Sequence, residues 1–122
     1  MDIKKREIRF RAWDEKKKIM KSGKSLKELC IRARDGGFKH WDDSVPIMQY
    51  TGLKDKNGKK IYEGDIIKFI WKAYLNNGVI RFNSKLARFD TVDYNGDIIL
   101  NEVADYGEVI GNIYENSKLL EE

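Results

Sequence analysis

Apolar and polar residues alternate with a period of two near the start of the chain. Within residues 7–12, Ile8, Phe10 and Ala12 occupy one set of alternate positions and charged residues occupy the other, and Trp13 breaks the alternation at the end of the strand. Successive side chains of a strand point to opposite faces, so this spacing predicts a half-buried β-strand. After a polar turn, residues 19–20 are expected to start a return strand.

The apolar spacing changes to that of a helix in residues 25–34. Ser25 and Glu28 have the spacing of a capping box, in which each side chain satisfies a free backbone N–H of the first turn. Four residues form an apolar stripe at helical spacing: Leu26, Leu29, Cys30 and Ala33. We therefore predict one short helix here, which ends at the glycine pair that follows.

The rest of the chain has the pattern of short strands separated by turns. Residues 47–50 are predicted to form a strand, and Asn57-Gly58 suits the positive φ angles of a tight hairpin turn. Five further strands are predicted, at residues 65–72, 78–82, 86–92, 97–103 and 108–113. Residues 116–121 are expected to form a final helical turn. Short strands with no helical pattern between them are typical of a small closed or half-open barrel.

The composition is that of a small globular domain. Of the 122 residues, 41% are hydrophobic and 36% are charged, and the chain has one proline. No apolar run approaches the roughly 18 residues that a membrane-spanning helix needs, and no apolar stretch typical of a signal peptide follows the charged N-terminus. A single cysteine excludes an intramolecular disulfide and a zinc site of paired cysteines. We expect a cytoplasmic protein with no membrane partner.

Three sequence blocks resemble those of a known family. They are residues 6–14 (REIRFRAWD), residues 49–66, in which QYTGLKD and IYEGDI stand out, and residues 109–116 (VIGNIYEN). Together they span nearly the whole chain, and they resemble the YopX family, small proteins carried largely by bacteriophages, prophages and plasmids of bacteria. The resemblance implies an SH3-like β-roll in the C-terminal half and self-association, and it implies no established activity.

Pattern and resemblance together predict a mainly β chain, α+β overall. Residues 1–48 are expected to form an N-terminal element with a strand, one short helix and a connector. Residues 49–122 are expected to form an SH3-like β-roll or small barrel, with the signature hairpin at its start and a short C-terminal turn.

One candidate interaction surface combines basic and aromatic side chains. Arg9, Arg11 and Trp13 lie on the predicted first strand, and Lys54 and Lys59 lie beside the predicted hairpin turn. Basic side chains bind phosphates and an indole stacks on a base, so this set fits a nucleic-acid surface. The alternative is a solvated strand face beside a solvated hairpin. The net charge of +4 comes from 24 basic and 20 acidic residues that are interspersed, so it permits a nucleic-acid partner without implying one.

Two tyrosines of the second block have two interpretations. Tyr50 and Tyr62 lie near glycines, and they are candidates to line a groove for a peptide, as aromatic side chains do in SH3-type recognition. The alternative, which we favour, is that they fill the core while their hydroxyl groups reach backbone partners.

No residues have the pattern of a catalytic, metal or cofactor site. Glu63 and Asp65 flank a glycine, but in a turn Asp65 is better explained as an acceptor for a nearby backbone N–H. His40 is the only histidine, and a pairing with Cys30 stays open, although Cys30 lies on the apolar stripe of the predicted helix, where a thiol is unreactive.

We therefore expect a non-enzymatic accessory protein of phage or plasmid type that acts by binding and uses no cofactor. Its partners would be further copies of itself or an unknown host or phage protein. The alternative is a nucleic-acid-binding module that uses the basic and aromatic surface.

Overall fold

The computed structural model describes residues 6–23, 46–94 and 96–121. The chain divides into two compact units, Met1–Tyr50 and Thr51–Glu122. In the described part, the chain is mainly β, with nine strands and two short 3₁₀ helices. The helix predicted for residues 25–34 lies outside the described residues, as do Cys30 and His40.

The first unit is organised around an antiparallel hairpin. β1 (Phe10–Asp14) pairs with β2 (Ile19–Gly23), and the start of β3 (Ile47–Lys54) pairs with the other side of β1. The backbone N–H of Tyr50 also donates to the carbonyl of Arg9 at 2.9 Å. The predicted first strand and its return strand are confirmed, although β1 begins at Phe10 rather than at residue 7.

The alternation of residues along β1 does not separate a buried face from a solvent-exposed face. Arg11, predicted on the polar face, is buried, and its Nε donates to the Sδ of Met48 at 3.4 Å. Ala12 and Trp13 are buried as well, whereas Ile8 is exposed. Arg11 lies directly opposite Met48 of β3, which is itself buried, so its side chain is covered by a cross-strand contact that the alternation alone does not show.

The second unit contains a five-stranded antiparallel sheet. Its strands are β5 (Asp65–Trp71), β6 (Tyr74–Asn83), β7 (Arg88–Asp93), β8 (Gly96–Ile99) and β9 (Glu108–Asn112). Their order across the sheet is β8-β7-β6-β5-β9, so four consecutive strands form a meander and β9 returns to pair with β5. β4 (Lys60–Tyr62) is the neighbour of β3, and the 3₁₀ helices are Leu100–Glu102 and Ser117–Leu120.

The predicted strand at residues 97–103 is wrong in its second half. β8 ends at Ile99, and the next residues form a 3₁₀ turn in which the N–H groups of Val103 and Ala104 both donate to the carbonyl of Leu100 at 2.9 Å. These three apolar residues are spaced i, i+3, i+4, which is a helical spacing. The turn brings all of them into the core, which a strand cannot do because it points neighbouring side chains to opposite faces.

One face of the five-stranded sheet carries the hydrophobic core. Its buried members are Ile61, Ile67, Phe69, Ile80, Leu100, Val103, Ala104 and Val109. Four half-buried side chains pack at its margin: Leu53, Trp71, Phe89 and Ile98. Packing is close enough at Gly107 that a Cβ there would lie 2.5 Å from the Cδ1 of Ile67. Burying each large aliphatic side chain stabilises the fold by about 2 kcal/mol.

Asparagine side chains close the C-terminal end of β9. The Oδ1 of Asn112 accepts the N–H groups of Tyr114 at 3.0 Å and Glu115 at 2.9 Å. In return, the Oδ1 of Asn116 accepts the N–H of Asn112 at 3.1 Å, and the carbonyl of Asn112 accepts the N–H of Asn116 at 2.8 Å. The turn therefore supplies its own partners for backbone groups that leave the sheet.

A single buried carboxylate ties the loop between β3 and β4 to the start of β9. The Oδ1 of Asp55 accepts the N–H groups of Asn57 and Lys59, each at 2.9 Å, and its Oδ2 accepts the N–H of Val109 at 2.9 Å. Asp55 is 6% exposed. The predicted Asn-Gly turn is confirmed in this loop, with a positive φ of 81° at Gly58.

The charged form of Asp55 is favoured by the folded chain. Burial by itself raises the pKa of this carboxyl, but the N–H groups of Val109, Lys59 and Asn57, with the nearby Lys59 ammonium, hold the pKa below its ordinary value of 3.8. A lowered pKa means that ionised Asp55 contributes stability that is present above pH 3.8 and is lost as the pH falls through the folded-state pKa.

We predict that Asp55→Asn lowers the free energy of unfolding at neutral pH by roughly 2–3 kcal/mol, because charge-assisted hydrogen bonds to buried N–H groups are lost. Urea denaturation measures the change. The difference from the unaltered chain should shrink as the pH falls below 3.8. Asp105→Asn, at an exposed position, is the matched control and should have no effect. Equal loss at every pH would show that the charge of Asp55 is not what matters.

A buried hydroxyl group gives a second prediction. Thr91 is fully buried, and its Oγ1 has no hydrogen-bond partner among the described residues. Thr91→Val keeps the shape of the side chain and removes an unsatisfied polar atom, so the free energy of unfolding should rise by about 1 kcal/mol. Thr51→Val is the control, because the Oγ1 of Thr51 donates to the carbonyl of Ile61 at 2.8 Å. In Thr51→Val the free energy of unfolding, measured by thermal or urea denaturation, should fall by about 1 kcal/mol. A change of the same sign in both variants would contradict this explanation.

Candidate interaction cleft

Two hairpin tips at one end of the five-stranded sheet enclose a cleft. The β5–β6 hairpin turns at Lys72 and Ala73, and the β7–β8 hairpin turns just after Asp93. The cleft has a volume of about 680 Å³, within the usual range of ligand sites. We call it the tip cleft, and the described residues that line it are Trp71, Lys72, Tyr74, Leu75, Asn76, Asp93, Tyr94, Gly96, Asp97 and Ile98.

The floor of the tip cleft continues the hydrophobic core. Trp71 and Ile98 line the cleft and also pack against the buried core cluster. Trp71 and Tyr74 are partners in the β5–β6 register, so their side chains lie on the same face of the sheet. The tip cleft is therefore the place where the core reaches the surface, and its floor is held by the packing below it.

Large apolar side chains form the exposed walls of the tip cleft. Tyr74 is 74% exposed, Leu75 is 64% exposed and Tyr94 is 85% exposed. Single exposed apolar residues are ordinary, but several around one concavity mark an interaction site. A tyrosine offers an apolar ring and a hydroxyl group that donates and accepts hydrogen bonds, which is why it is common at interfaces.

The charges at the tip cleft are unlike those of the whole chain. Asp93 and Asp97 belong to the β7–β8 hairpin, and Lys72 lies at the β5–β6 turn. Two carboxylates and one ammonium give the lining a formal net charge of −1, whereas the chain carries +4. The Nδ2 of Asn76 donates to the carbonyl of Tyr74 at 2.9 Å, so this amide is held in place. The lining therefore suits an occupant with apolar and positively charged groups.

The predicted basic and aromatic surface is largely buried where it falls on β1. Arg11 and Trp13 are buried, and the indole Nε1 of Trp13 donates to the Oε2 of Glu15 at 2.7 Å. Arg9 is half-buried, with its Nη1 3.3 Å from the Oε1 of Glu7. In this conformation the indole has no exposed face on which a base could stack.

The other predicted site residues divide by exposure. Tyr50 and Tyr62 are both buried, which agrees with the interpretation that they serve the core. Lys54 and Lys59 are exposed on the two sides of the β3–β4 loop. The interaction surface proposed from the sequence stays a prediction, and these two lysines are its fully exposed members.

Asp65, one of the two acidic residues that flank Gly64, has a structural role. Asp65 is buried, and its Oδ2 accepts the N–H of Tyr62 at 2.8 Å across the β4–β5 turn, as the turn interpretation predicts. Gly64 makes that turn possible with a φ of 82°, and its carbonyl accepts the N–H of Ile113 at 2.9 Å. Together with Asp55, this shows that the most recognisable sequence block holds the fold together.

Two negative findings apply to residues 6–23, 46–94 and 96–121. No group of three or more His, Cys, Asp or Glu side chains in these ranges is placed to hold a metal ion. No helix in the same ranges is long and apolar enough to cross a membrane.

The sequence pattern does not predict the tip cleft, and Tyr74 and Tyr94 are not among the predicted interaction residues. A signal was present, since both tyrosines adjoin hairpin turns, where side chains are exposed. What the sequence does not show is that the two turns lie at the same end of the sheet and face each other across a cavity.

The β5–β6 turn is strained. Lys72 has a φ of 51° and Ala73 a φ of 70°, and both therefore occupy the left-handed region that favours glycine. A two-residue hairpin with positive φ at both positions matches the twist of its strands. With side chains other than those of glycine or asparagine it costs about 1 kcal/mol per residue. Lys18 and Ala87, in two other turns, also have positive φ, so such strain is not confined to the tip cleft.

We predict that Ala73→Gly raises the free energy of unfolding by about 0.5 kcal/mol, because relief of the positive φ outweighs the added freedom of the unfolded chain. Ser84→Gly is the control in the β6–β7 turn. Ser84 is exposed and has no positive φ, so glycine there should destabilise by about 0.5 kcal/mol. Both changes are measured by urea denaturation. An equal loss in the two variants would show that the β5–β6 turn is not strained.

Comparison with known proteins relates the whole chain to one family. A family model described as YopX protein matches residues 9–121. No curated protein matches the chain. Among solved structures, the chain is similar to the crystal structure of protein EF1440 from Enterococcus faecalis, with a TM-score of 0.62 and 27% sequence identity over 93% of this chain and 98% of that one. Since the family model covers nearly all residues, the chain belongs to the YopX family.

Proposed function

We propose that this protein is a non-enzymatic accessory protein that acts by binding another protein, and that the tip cleft is its contact surface. The observation that carries the proposal is the cluster of Tyr74, Leu75 and Tyr94, which are all more than 60% exposed around one cavity. Exposed aromatic side chains around a rigid apolar floor are the usual centre of a protein interface.

The charge of the tip cleft favours a protein over a nucleic acid as its occupant. Asp93 and Asp97 oppose a phosphate backbone, because nucleic-acid sites neutralise phosphates with lysine and arginine. A protein segment with apolar and basic side chains meets the same lining favourably. This supports protein binding as the function of the cleft.

The remaining features of the proposal come from the family and from the topology. We place the protein in a bacteriophage, prophage or plasmid context, in the cytoplasm of a bacterial host. We also propose that the second unit is an SH3-like β-roll, which the short antiparallel strands and the return of β9 onto β5 support. Self-association into a homo-oligomer belongs to the same proposal.

A second candidate function is nucleic-acid binding through the β3–β4 loop. Lys54, Lys56 and Lys59 are exposed on this loop, although the Nζ of Lys56 lies 3.9 Å from a carboxylate oxygen of Glu108. Exposed lysines on one loop are the feature that favours this candidate. It uses a different part of the second unit from the tip cleft, so the two functions are separable by experiment.

Photo-crosslinking tests the proposal. With p-benzoylphenylalanine in place of Tyr94, and separately of Tyr74, we expect irradiated bacterial cells to give the same covalent adduct at both positions. The adduct should be destroyed by protease and resist nuclease. The matched control is Tyr106, which is 76% exposed and does not line the cleft; replacement there should give no such adduct.

The outcomes separate the candidates. An adduct that nuclease removes, or nucleic-acid binding that weakens steeply with salt and is lost in Lys54→Glu with Lys59→Glu, would support the second candidate instead. Equal adducts at Tyr94 and Tyr106 would indicate collision with abundant proteins and would contradict the proposal. An adduct between two copies of the chain would identify the partner as the protein itself.

A further inference from the structure

The side chains at the tip cleft belong to two faces of the five-stranded sheet. The strand register places Leu75 and Asp97 on the face opposite the hydrophobic core, because paired and alternate residues share a face. Five lining side chains lie on the core face: Trp71, Tyr74, Asn76, Asp93 and Ile98. Among the lining residues, the core face of the cleft therefore carries one carboxylate, that of Asp93.

A carboxylate and an amide oxygen are neighbours on this core face. The register of β6 and β7 ends at Val79↔Val92, and one further step along both strands sets Asp93 diagonal to Asn76. Diagonal neighbours lie about 7–8 Å apart, within reach of one long side chain. The Nδ2 of Asn76 donates to the carbonyl of Tyr74 at 2.9 Å, which leaves its Oδ1 to accept a hydrogen bond from an occupant. Both polar groups offered here are acceptors.

There is room for an occupant beside Asp93. Its partner on β8 is Gly96, and a Cβ added to Gly96 would have no atom of the described residues within 4 Å other than those of its chain neighbours. Asp93 is half-buried, whereas Lys72, the basic residue of the lining, is exposed. Water screens an exposed charge more strongly than a half-buried one. A cation that enters on this side is therefore attracted to the carboxylate.

Aromatic and aliphatic side chains adjoin these acceptors on the same face. Tyr74, two residues before Asn76, is 74% exposed, and Trp71 and Ile98 form the apolar floor. An arginine stem packs on apolar surface while its charged head reaches polar partners. The guanidinium is planar, stacks on aromatic rings and presents five N–H donors, whereas a lysine ammonium is a compact point charge. The core face of the cleft thus suits arginine.

From this placement we infer that the core face of the tip cleft binds an arginine side chain of the partner protein. The guanidinium donates to the carboxylate of Asp93 and to the Oδ1 of Asn76, with the ring of Tyr74 against it. The stem of the arginine packs on Trp71 and Ile98. The inference rests on the proposed function and names the group that the cleft recognises.

Titration of the full chain with Nα-acetyl-arginine N-methylamide, followed by ¹⁵N NMR, tests the inference. The indole N–H of Trp71 and the side-chain amide of Asn76 should shift as the probe binds. The citrulline counterpart has the same shape without the charge and should bind roughly fivefold more weakly or worse. The lysine counterpart should also bind more weakly, because it lacks the planar fork of donors.

Substitutions on the two faces provide matched controls. Asp93→Asn should weaken binding of the arginine probe roughly tenfold, whereas Asp97→Asn, the same change on the opposite face, should leave the affinity nearly unchanged. Tyr74→Leu should weaken binding roughly threefold, and Tyr74→Phe should restore it, since a ring is what the guanidinium contacts. Amide spectra without probe verify that each variant is folded, and the Tyr74 pair decides if Asp93→Asn is not.

The photo-crosslinked adduct at Tyr94 links the arginine site to the protein partner. In cells, the adduct should decrease in Asp93→Asn and persist in Asp97→Asn. Equal binding of the arginine and citrulline probes, or equal loss in the two aspartate variants, would overturn the inference.

The failure of the inference and that of the proposed function are distinguishable. An adduct that Asp93→Asn leaves unchanged would reject the arginine site while the proposed function stands. The absence of any adduct would reject the proposed function. Binding of the arginine probe without an adduct would indicate a site for free guanidinium compounds and would overturn the assignment to a protein partner.

Discussion

The carboxylate of Asp55 is the interaction on which the second unit depends. It accepts three backbone N–H groups from two places in the chain, the β3–β4 loop and the start of β9, which are 54 residues apart at their most distant contact. Neither segment is part of a long strand in which neighbouring strands accept every backbone N–H, so these N–H groups need another acceptor. One ionised side chain meets this need, and burial makes its loss more costly than that of an exposed ion pair. The short strand β9 stays paired with β5 partly because Asp55 also accepts the N–H of Val109, near the start of β9.

The sequence shows those parts of the fold that depend on local chemistry. Spacing and turn residues alone predict the Asn57-Gly58 turn and the role of Asp65. They also predict strands at residues 65–72 and 86–92, which are observed as Asp65–Trp71 and Arg88–Asp93. Two errors arise where tertiary context decides. Arg11 is buried against Met48 of the neighbouring strand β3, and Leu100 begins a 3₁₀ turn because the core accepts residues at helical spacing there. The candidate site cannot be predicted for the same reason, since only the order of strands across the sheet brings Tyr74 and Tyr94 to one cleft.

The residues that make the family recognisable and the residues that line the tip cleft are different sets. Asp55, Gly64, Asp65 and Asn112 stabilise turns or link separate segments by hydrogen bonds. None of them lines the cleft. A family resemblance based on such residues identifies an architecture and leaves the chemistry of the contact surface open. The cleft has its own physical character instead: an apolar floor continuous with the core, exposed tyrosines and a net charge opposite in sign to that of the chain. These properties are the basis of the proposed binding function.

The path of the chain through the meander has a consequence for folding order and for divergence. The strands that form the cleft, β5 to β8, follow one another directly, so their contacts have low contact order and are expected to form early. The pairing of β9 with β5 and the hydrogen bond from Val109 to Asp55 join segments that are farther apart in sequence, so both should form late. The proposed binding surface is encoded in one short stretch, residues 71–98, so substitutions in two hairpin tips can change its lining without disturbing the closure of the domain. Related chains could therefore share an architecture while they recognise different partners.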